Sequence, residues 1–135
     1  MPDETNRQRV ERFIAAFDQG QVAVQRALMH PDVIFHSPES LPYGGQWHGL
    51  DGWQALKKAI SEVWSELYLK IHHVAGAQDD AYFVILAELR ARSRRTNDIY
   101  ESPVMEKWVW RDGLLALVQP YYWDTARAKQ ILGTA

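Results

Sequence analysis

The sequence predicts an α+β domain whose helices come first and pack on the concave side of a curved antiparallel sheet. Three observations carry this. Apolar residues recur with helical period through the first half of the chain, alternating aromatic and β-branched runs fill the second half, and the runs are joined by connections too short for anything but antiparallel neighbours. The plainest pair of runs lies between Val104 and Asp124. They flank Asp112-Gly113, and Asp-Gly between alternating runs is the strongest short-range signal for a β-hairpin.

In chain order, Thr5 and Gln8 have the spacing of a capping box, and Val10, Phe13, Ile14 and Phe17 follow at i, i+3, i+4 and i+7. This predicts an amphipathic helix ending near Gly20. A shorter helix is expected over 21–29, with Val24 and Leu28 one turn apart, before Pro31 stops it. Residues 32–37 read as a short strand with Ile34 and His36 on one face and Val33, Phe35 and Ser37 on the other. The segment from Pro38 to Gly49 is rich in turn residues, and its Tyr43 and Trp47 predict a lid or wall rather than a linker. Asp51 is placed as the cap of a third helix, with Gln54 at its third position and Trp53, Leu56, Ile60, Val63 and Trp64 as the apolar stripe. Four strands are then expected over 67–77, 81–95, 99–110 and 114–123, and a last helix over 125–132. The run 81–95 is about three times the usual strand length, so a bulge or strong coiling is expected there.

A chain of 135 residues is the size of one domain, and neither an internal repeat nor a domain boundary is visible. With 47% apolar and 24% charged residues the composition is that of an ordinary globular protein, and a net charge of −2 gives no reason to expect nucleic acid. The absence of cysteine removes thiolate chemistry and fits a reducing compartment. The charged N-terminus has no apolar core of signal-peptide length and no run approaches a membrane span, so a cytoplasmic protein without membrane contact is expected. His72 and His73 are adjacent on a strand and point to opposite faces, so no metal site is expected. Arg90, Arg92 and Arg94 share a strand face and read as a solvated sheet end or an interface rim.

Alternation puts Glu106, Trp108 and Trp110 on one face of the first hairpin arm, and Val118, Pro120, Tyr122 and Asp124 on one face of the second. A carboxylate in an aromatic wall loses hydration and its pKa rises, which is how a working acid or base near neutral pH is made. Glu106 thus reads as a pocket acid, against the alternative of a cross-sheet ion pair. Asp124 stands where a helix N-cap is wanted and also where a base could sit, and the two roles are compatible. His36 is either the orienting partner of a base or a hydrogen-bonded structural residue.

These residues resemble the nuclear transport factor 2-like superfamily, and within it the SnoaL-like and ketosteroid-isomerase-like small enzymes. The resemblance rests on His30-Pro31-Asp32-Val33-Ile34-Phe35-His36-Ser37-Pro38, Gly49-Leu50-Asp51-Gly52, Trp110-Arg111-Asp112-Gly113 and Tyr121-Tyr122-Trp123-Asp124-Thr125, which together span most of the chain. It implies a conical α+β barrel with a pocket between helices and sheet, dimerisation through the sheet, and acid–base chemistry by pocket carboxylates without a cofactor. Residue by residue, the isomerase base position falls on Ser37. Of the two aspartates flanking the arginine of limonene epoxide hydrolase, only the last has a counterpart, Asp124. The base of SnoaL-like cyclases also aligns with Asp124.

The expected function is acid–base catalysis on an apolar cyclic or carbonyl substrate, as in cyclisation, isomerisation or dehydration. Asp124, His36 and Glu106 are the catalytic candidates, and Tyr43, Trp47, Trp108, Trp110 and Tyr122 the substrate-binding ones. A pocket that only holds an apolar ligand, or a dimerisation module, is the alternative. The apolar pattern on both faces of the last strands predicts a homodimer, with Leu115, Leu117 and Tyr121 as contacts.

Overall fold

A computed structural model of the chain describes residues 3–133. Its elements are α1 (Asn6–Asp18), α2 (Val22–Ala27), β1 (Met29–Ser37), β2 (Gly45–His48), α3 (Gly49–Val63), β3 (Trp64–Ala75), β4 (Tyr82–Ser93), β5 (Ile99–Arg111), β6 (Leu114–Tyr122) and α4 (Thr125–Leu132). The strands form one sheet in the order β2-β1-β6-β5-β4-β3, and β1 beside β6 is its parallel pair. The curved sheet covers α1 to α3 with one face, as the predicted α+β class requires.

The local signals act as physical chemistry demands. Thr5 and Gln8 close a full capping box, with the Thr5 hydroxyl accepting from the Gln8 amide at 3.1 Å and the Gln8 side chain accepting from the Thr5 amide at 2.8 Å. Asp112 and Gly113 both take positive φ, 55° and 74°, which is the primed turn whose twist matches the strands it joins. Asp124 caps α4 by accepting from the Arg127 amide at 3.0 Å.

Several boundaries differ from expectation. Strand β1 starts at Met29 instead of 32, running through Pro31, and the supposed lid contributes an edge strand, β2, paired antiparallel with β1. The cap of α3 is His48, with Asp51 inside the first turn, and Trp64 has left the helix to open β3. Gly52 is required in that helix, because a Cβ there would lie 2.8 Å from the Trp47 carbonyl carbon. The expected irregularity of the long strand falls on its neighbours. The β3–β4 register shifts between Ile71 and His73, and the β5–β6 register shifts between Val109 and Trp110, whereas β4 pairs with β5 without a break. The first shift leaves His72 unpaired and both histidines exposed, so strict alternation fails there.

The second shift decides which side chains are inside. On one face of the sheet Phe83, Ile85, Leu89, Val104, Trp108 and Val118 are buried beneath the helices. On the other, Tyr82, Val84, Met105 and Tyr121 remain exposed. Leu115, expected outside, is fully buried, because the bulge returns it to the inner face opposite Trp110. Arg90 and Arg92 lie on the outer face, ion-paired with Glu101 and Glu66, and Arg94 donates to the Ser61 carbonyl at 2.6 Å. Among the described residues no helix is long and apolar enough to cross a membrane.

Candidate functional site

A cavity of about 190 Å³ lies between the helices and the concave sheet. Its walls are mostly apolar, with Phe13, Phe35, Trp53, Leu56, Leu69 and Val118 prominent. Glu106 is the one carboxylate among the residues that line it. Strand parity puts it there, since Val104, Glu106 and Trp108 take the inner face of β5 while Met105 and Lys107 take the outer. Trp108 fixes its orientation. The indole N–H donates to Glu106 Oε1 at 2.9 Å, and the Trp108 ring is itself held edge-to-face by Phe13 at a centroid distance of 5.2 Å. Glu106 is only half-buried, because the surface it keeps is cavity wall. Burial pushes its carboxyl above the ordinary value of 4.5, and the hydrogen bond from Trp108 offsets this in part.

A chain of hydroxyls meets the same wall. Trp64 Nε1 donates to the Tyr43 hydroxyl at 3.0 Å, and the Tyr43 and Tyr122 hydroxyls are 2.9 Å apart. An indole can only donate, so Tyr43 accepts from Trp64. Either hydroxyl can donate across that contact, and when Tyr43 donates the Tyr122 O–H is free to turn into the cavity. The Tyr122 ring stacks on Tyr100 at a centroid distance of 6.3 Å, and Tyr100 in turn stacks on Trp64 at 6.1 Å. Burial first, then Tyr43 and the neighbouring Glu106, push the Tyr122 hydroxyl well above its ordinary 10.0. It therefore stays protonated at neutral pH and acts as a donor.

Of the sequence candidates, Glu106, Tyr43, Trp108 and Tyr122 come together on this cavity; the other four do not. The inner row of β6 ends at Tyr122, and two residues later Asp124 is an exposed N-cap, because the chain has already turned into α4. His36 faces outward, since Phe35 and Ser37 hold the inner side of β1. Its Nε2 meets Glu39 at 2.7 Å and its Nδ1 meets the Gln119 amide at 3.3 Å. Trp47 backs the wall without lining it, donating to the Tyr43 carbonyl at 3.0 Å. Trp110 lies beyond the bulge, in the core with Val10, Met29 and Leu115, and its indole N–H is buried without a partner. Ser37, on the inner face, lines the cavity at the position that the resemblance aligns with the isomerase base.

Gln25 and Lys57 also line the cavity and escaped the sequence reading. For Lys57 the signal was present, because it falls on the row Trp53, Leu56, Lys57, Ile60 at i, i+3, i+4 and i+7. Among the described residues no three His, Asp or Glu side chains gather as metal ligands.

The cap role gives one expected result. Asp124→Asn should hold stability to a few tenths of a kcal/mol and Asp124→Ala should lose about 1 kcal/mol, read by chemical denaturation. Neither should change activity; an inactive asparagine variant would restore Asp124 as a base.

The class of protein that this defines is an α+β cone whose apolar cavity carries one carboxylate and a tyrosine hydroxyl. The family model of the SnoaL-like domain matches residues 10–118, and the chain belongs to that family. No curated protein matches it. Among solved structures, an NTF2-like protein from Burkholderia thailandensis superposes with a TM-score of 0.86 at 20% identity, over 96% of this chain and 98% of that one. TerC, co-crystallised with polyporic acid, gives a TM-score of 0.82 at 19% identity, over 96% and 98%. A protein with a ketosteroid isomerase-like fold from Catenulispora acidiphila, in complex with trimethylamine, gives 0.73 at 14% identity, over 95% and 94%. At these identities the likeness is one of fold.

Proposed function

We propose that this protein is a cofactor-independent acid–base enzyme acting on an apolar cyclic or carbonyl substrate, with Glu106 as the proton-transfer group. The observation that carries the reading is a lone carboxylate on the wall of an apolar cavity, held by Trp108 beside the Tyr122 hydroxyl. In its ionised form Glu106 takes a proton from the carbon next to a substrate carbonyl, and the C–H electron pair passes to the carbonyl oxygen. The Tyr122 O–H donates to that oxygen as its charge develops, and the proton returns from Glu106 to the same or another carbon. Cyclisation, isomerisation and dehydration all use this half-reaction.

The minimal assay is hydrogen–deuterium exchange at the α-carbon of a small bicyclic ketone such as 2-tetralone, followed by NMR in D₂O. Catalysed exchange is expected, falling as pH drops through the Glu106 midpoint. Binding without exchange, by this ketone and by related ones, would favour the reading in which the cavity only holds its ligand.

The assembly that goes with this reading is a homodimer through the outer sheet face. Exposed Tyr82 pairs in register with Val109, and exposed Met105 lies between Leu86 and Tyr121. Apolar rows of this kind on a free surface mark contact with another protein, and Leu117 and Tyr121 remain available for it where Leu115 does not. Sedimentation velocity at micromolar concentration is expected to give a dimer, and Met105→Lys a monomer; a monomeric wild type would remove the assembly. The cysteine-free composition supports a cytoplasmic location.

A further inference from the structure

The polar groups of the cavity divide between its two walls. Glu106 and Tyr122 stand on the sheet, whereas Gln25 and Lys57 stand on the helices, and the chemistry above uses neither of the second pair. Gln25 is only 7% exposed, yet its side-chain amide has no hydrogen-bond partner among the described residues. Its polar atoms are not fully buried, so the little surface the residue keeps opens to the cavity, where a ligand can supply the partner the protein does not.

Lys57 points the same way. Its ammonium lies 3.8 Å from the centre of the Trp53 ring, which holds the side chain against the cavity wall. Partly exposed Lys57 and Phe17, the latter 42% exposed, mark the open side of the cavity. Burial lowers the Lys57 ammonium from its ordinary 10.5, and the positive charge of Arg26 lowers it further. Elsewhere in the described residues Arg7, Arg9, Arg12, Arg90 and Arg92 each have a glutamate partner. Lys57 has none, so the cation on the cavity wall has no protein anion beside it, and the nearest recorded charge acting on it is the like charge of Arg26.

We propose that the Gln25 amide and the Lys57 ammonium form an anion subsite that holds a carboxylate of the ligand at the mouth, while its apolar body runs inward toward Glu106. The proposal rests on the small-molecule reading of the cavity and adds the class of molecule, an apolar acid. Separation between the walls is part of the design, since the ligand anion binds against the cationic helices and away from the Glu106 carboxylate, with which it would otherwise repel.

Calorimetric titration with 2-naphthoate and its neutral isostere 2-naphthamide, at neutral pH, tests this. The wild type should bind the naphthoate about tenfold more tightly, as a charge-assisted contact with Lys57 implies. Lys57→Met should bring the two affinities together by weakening naphthoate alone, Lys57→Arg should keep the preference, and Gln25→Leu should weaken naphthoate several-fold. Equal binding of both compounds to the wild type, or an undiminished preference in a folded Lys57→Met protein, would overturn the subsite. Failure of both compounds to bind at millimolar concentration would overturn it together with the ligand-pocket reading. A naphthoate preference that persists in a protein showing no proton exchange would count against catalysis alone.

Discussion

Glu106→Gln is expected to lower α-proton exchange by about 10²- to 10⁴-fold, the usual contribution of a positioned general base. Glutamine keeps the shape of the site, because its carbonyl can still accept from Trp108 Nε1, so the loss isolates the proton-accepting role. The same variant should change stability with a definite sign. Burial raises the folded-state pKa of Glu106 above 4.5, so the folded protein holds this proton more tightly than the unfolded chain does. The associated stability is present below pH 4.5 and is lost as pH rises through the folded-state midpoint. Glu106→Gln has no proton to lose and should be the more stable protein at neutral pH, with the difference closing in acid. Denaturation midpoints of both proteins across pH check this, and a constant difference would mean that the carboxyl is not perturbed by burial.

Tyr122→Phe should lower the same exchange by about 10²- to 10³-fold, the cost of removing one donor to a developing oxyanion. The ring stack on Tyr100 is retained by phenylalanine, so the pocket should keep its form. The Tyr43 hydroxyl loses its partner, which should cost about 1–3 kcal/mol of stability. Tyr43→Phe should cost less activity, since it removes only the group that orients Tyr122. Equal activity in Tyr122→Phe and the wild type would leave Glu106 without its proposed partner.

Much of this was legible in the sequence because it depends on parity and on turn chemistry. The Asp112-Gly113 turn sets the hairpin register, and from that register the alternation of Glu106 with Trp108, and of Val118 and Pro120 with Tyr122, places each on the cavity side. The errors fall where parity stops holding. One extra residue in β6 opposite Val109 and Trp110 brings Leu115 inside, and no local signal in Leu114-Leu115-Ala116-Leu117 marks it, whereas Trp110 keeps the inward parity of β5 but lies past the cavity in the core. Asp124 continues the alternation on paper, but the strand ends at Tyr122 and the residue opens α4 as its N-cap. His36 turned on which face of β1 is inner, a tertiary fact fixed by the packing of Phe35 against Trp53. Lys57 and Gln25 were missed because a charged or amide residue beside an apolar stripe is ordinarily solvated, and only the cavity gives these two another role.

The proposed chemistry requires that Glu106 sit in an environment that makes it a working acid or base. Its titration, followed through the side-chain carboxyl ¹³C resonance in protein labelled at glutamate, and assigned with Glu106→Gln, tests that requirement most directly. A midpoint above 4.5 is expected, rising further when an apolar ligand fills the cavity and expels its water. A midpoint at or below 4.5, with or without ligand, would contradict the proposed chemistry.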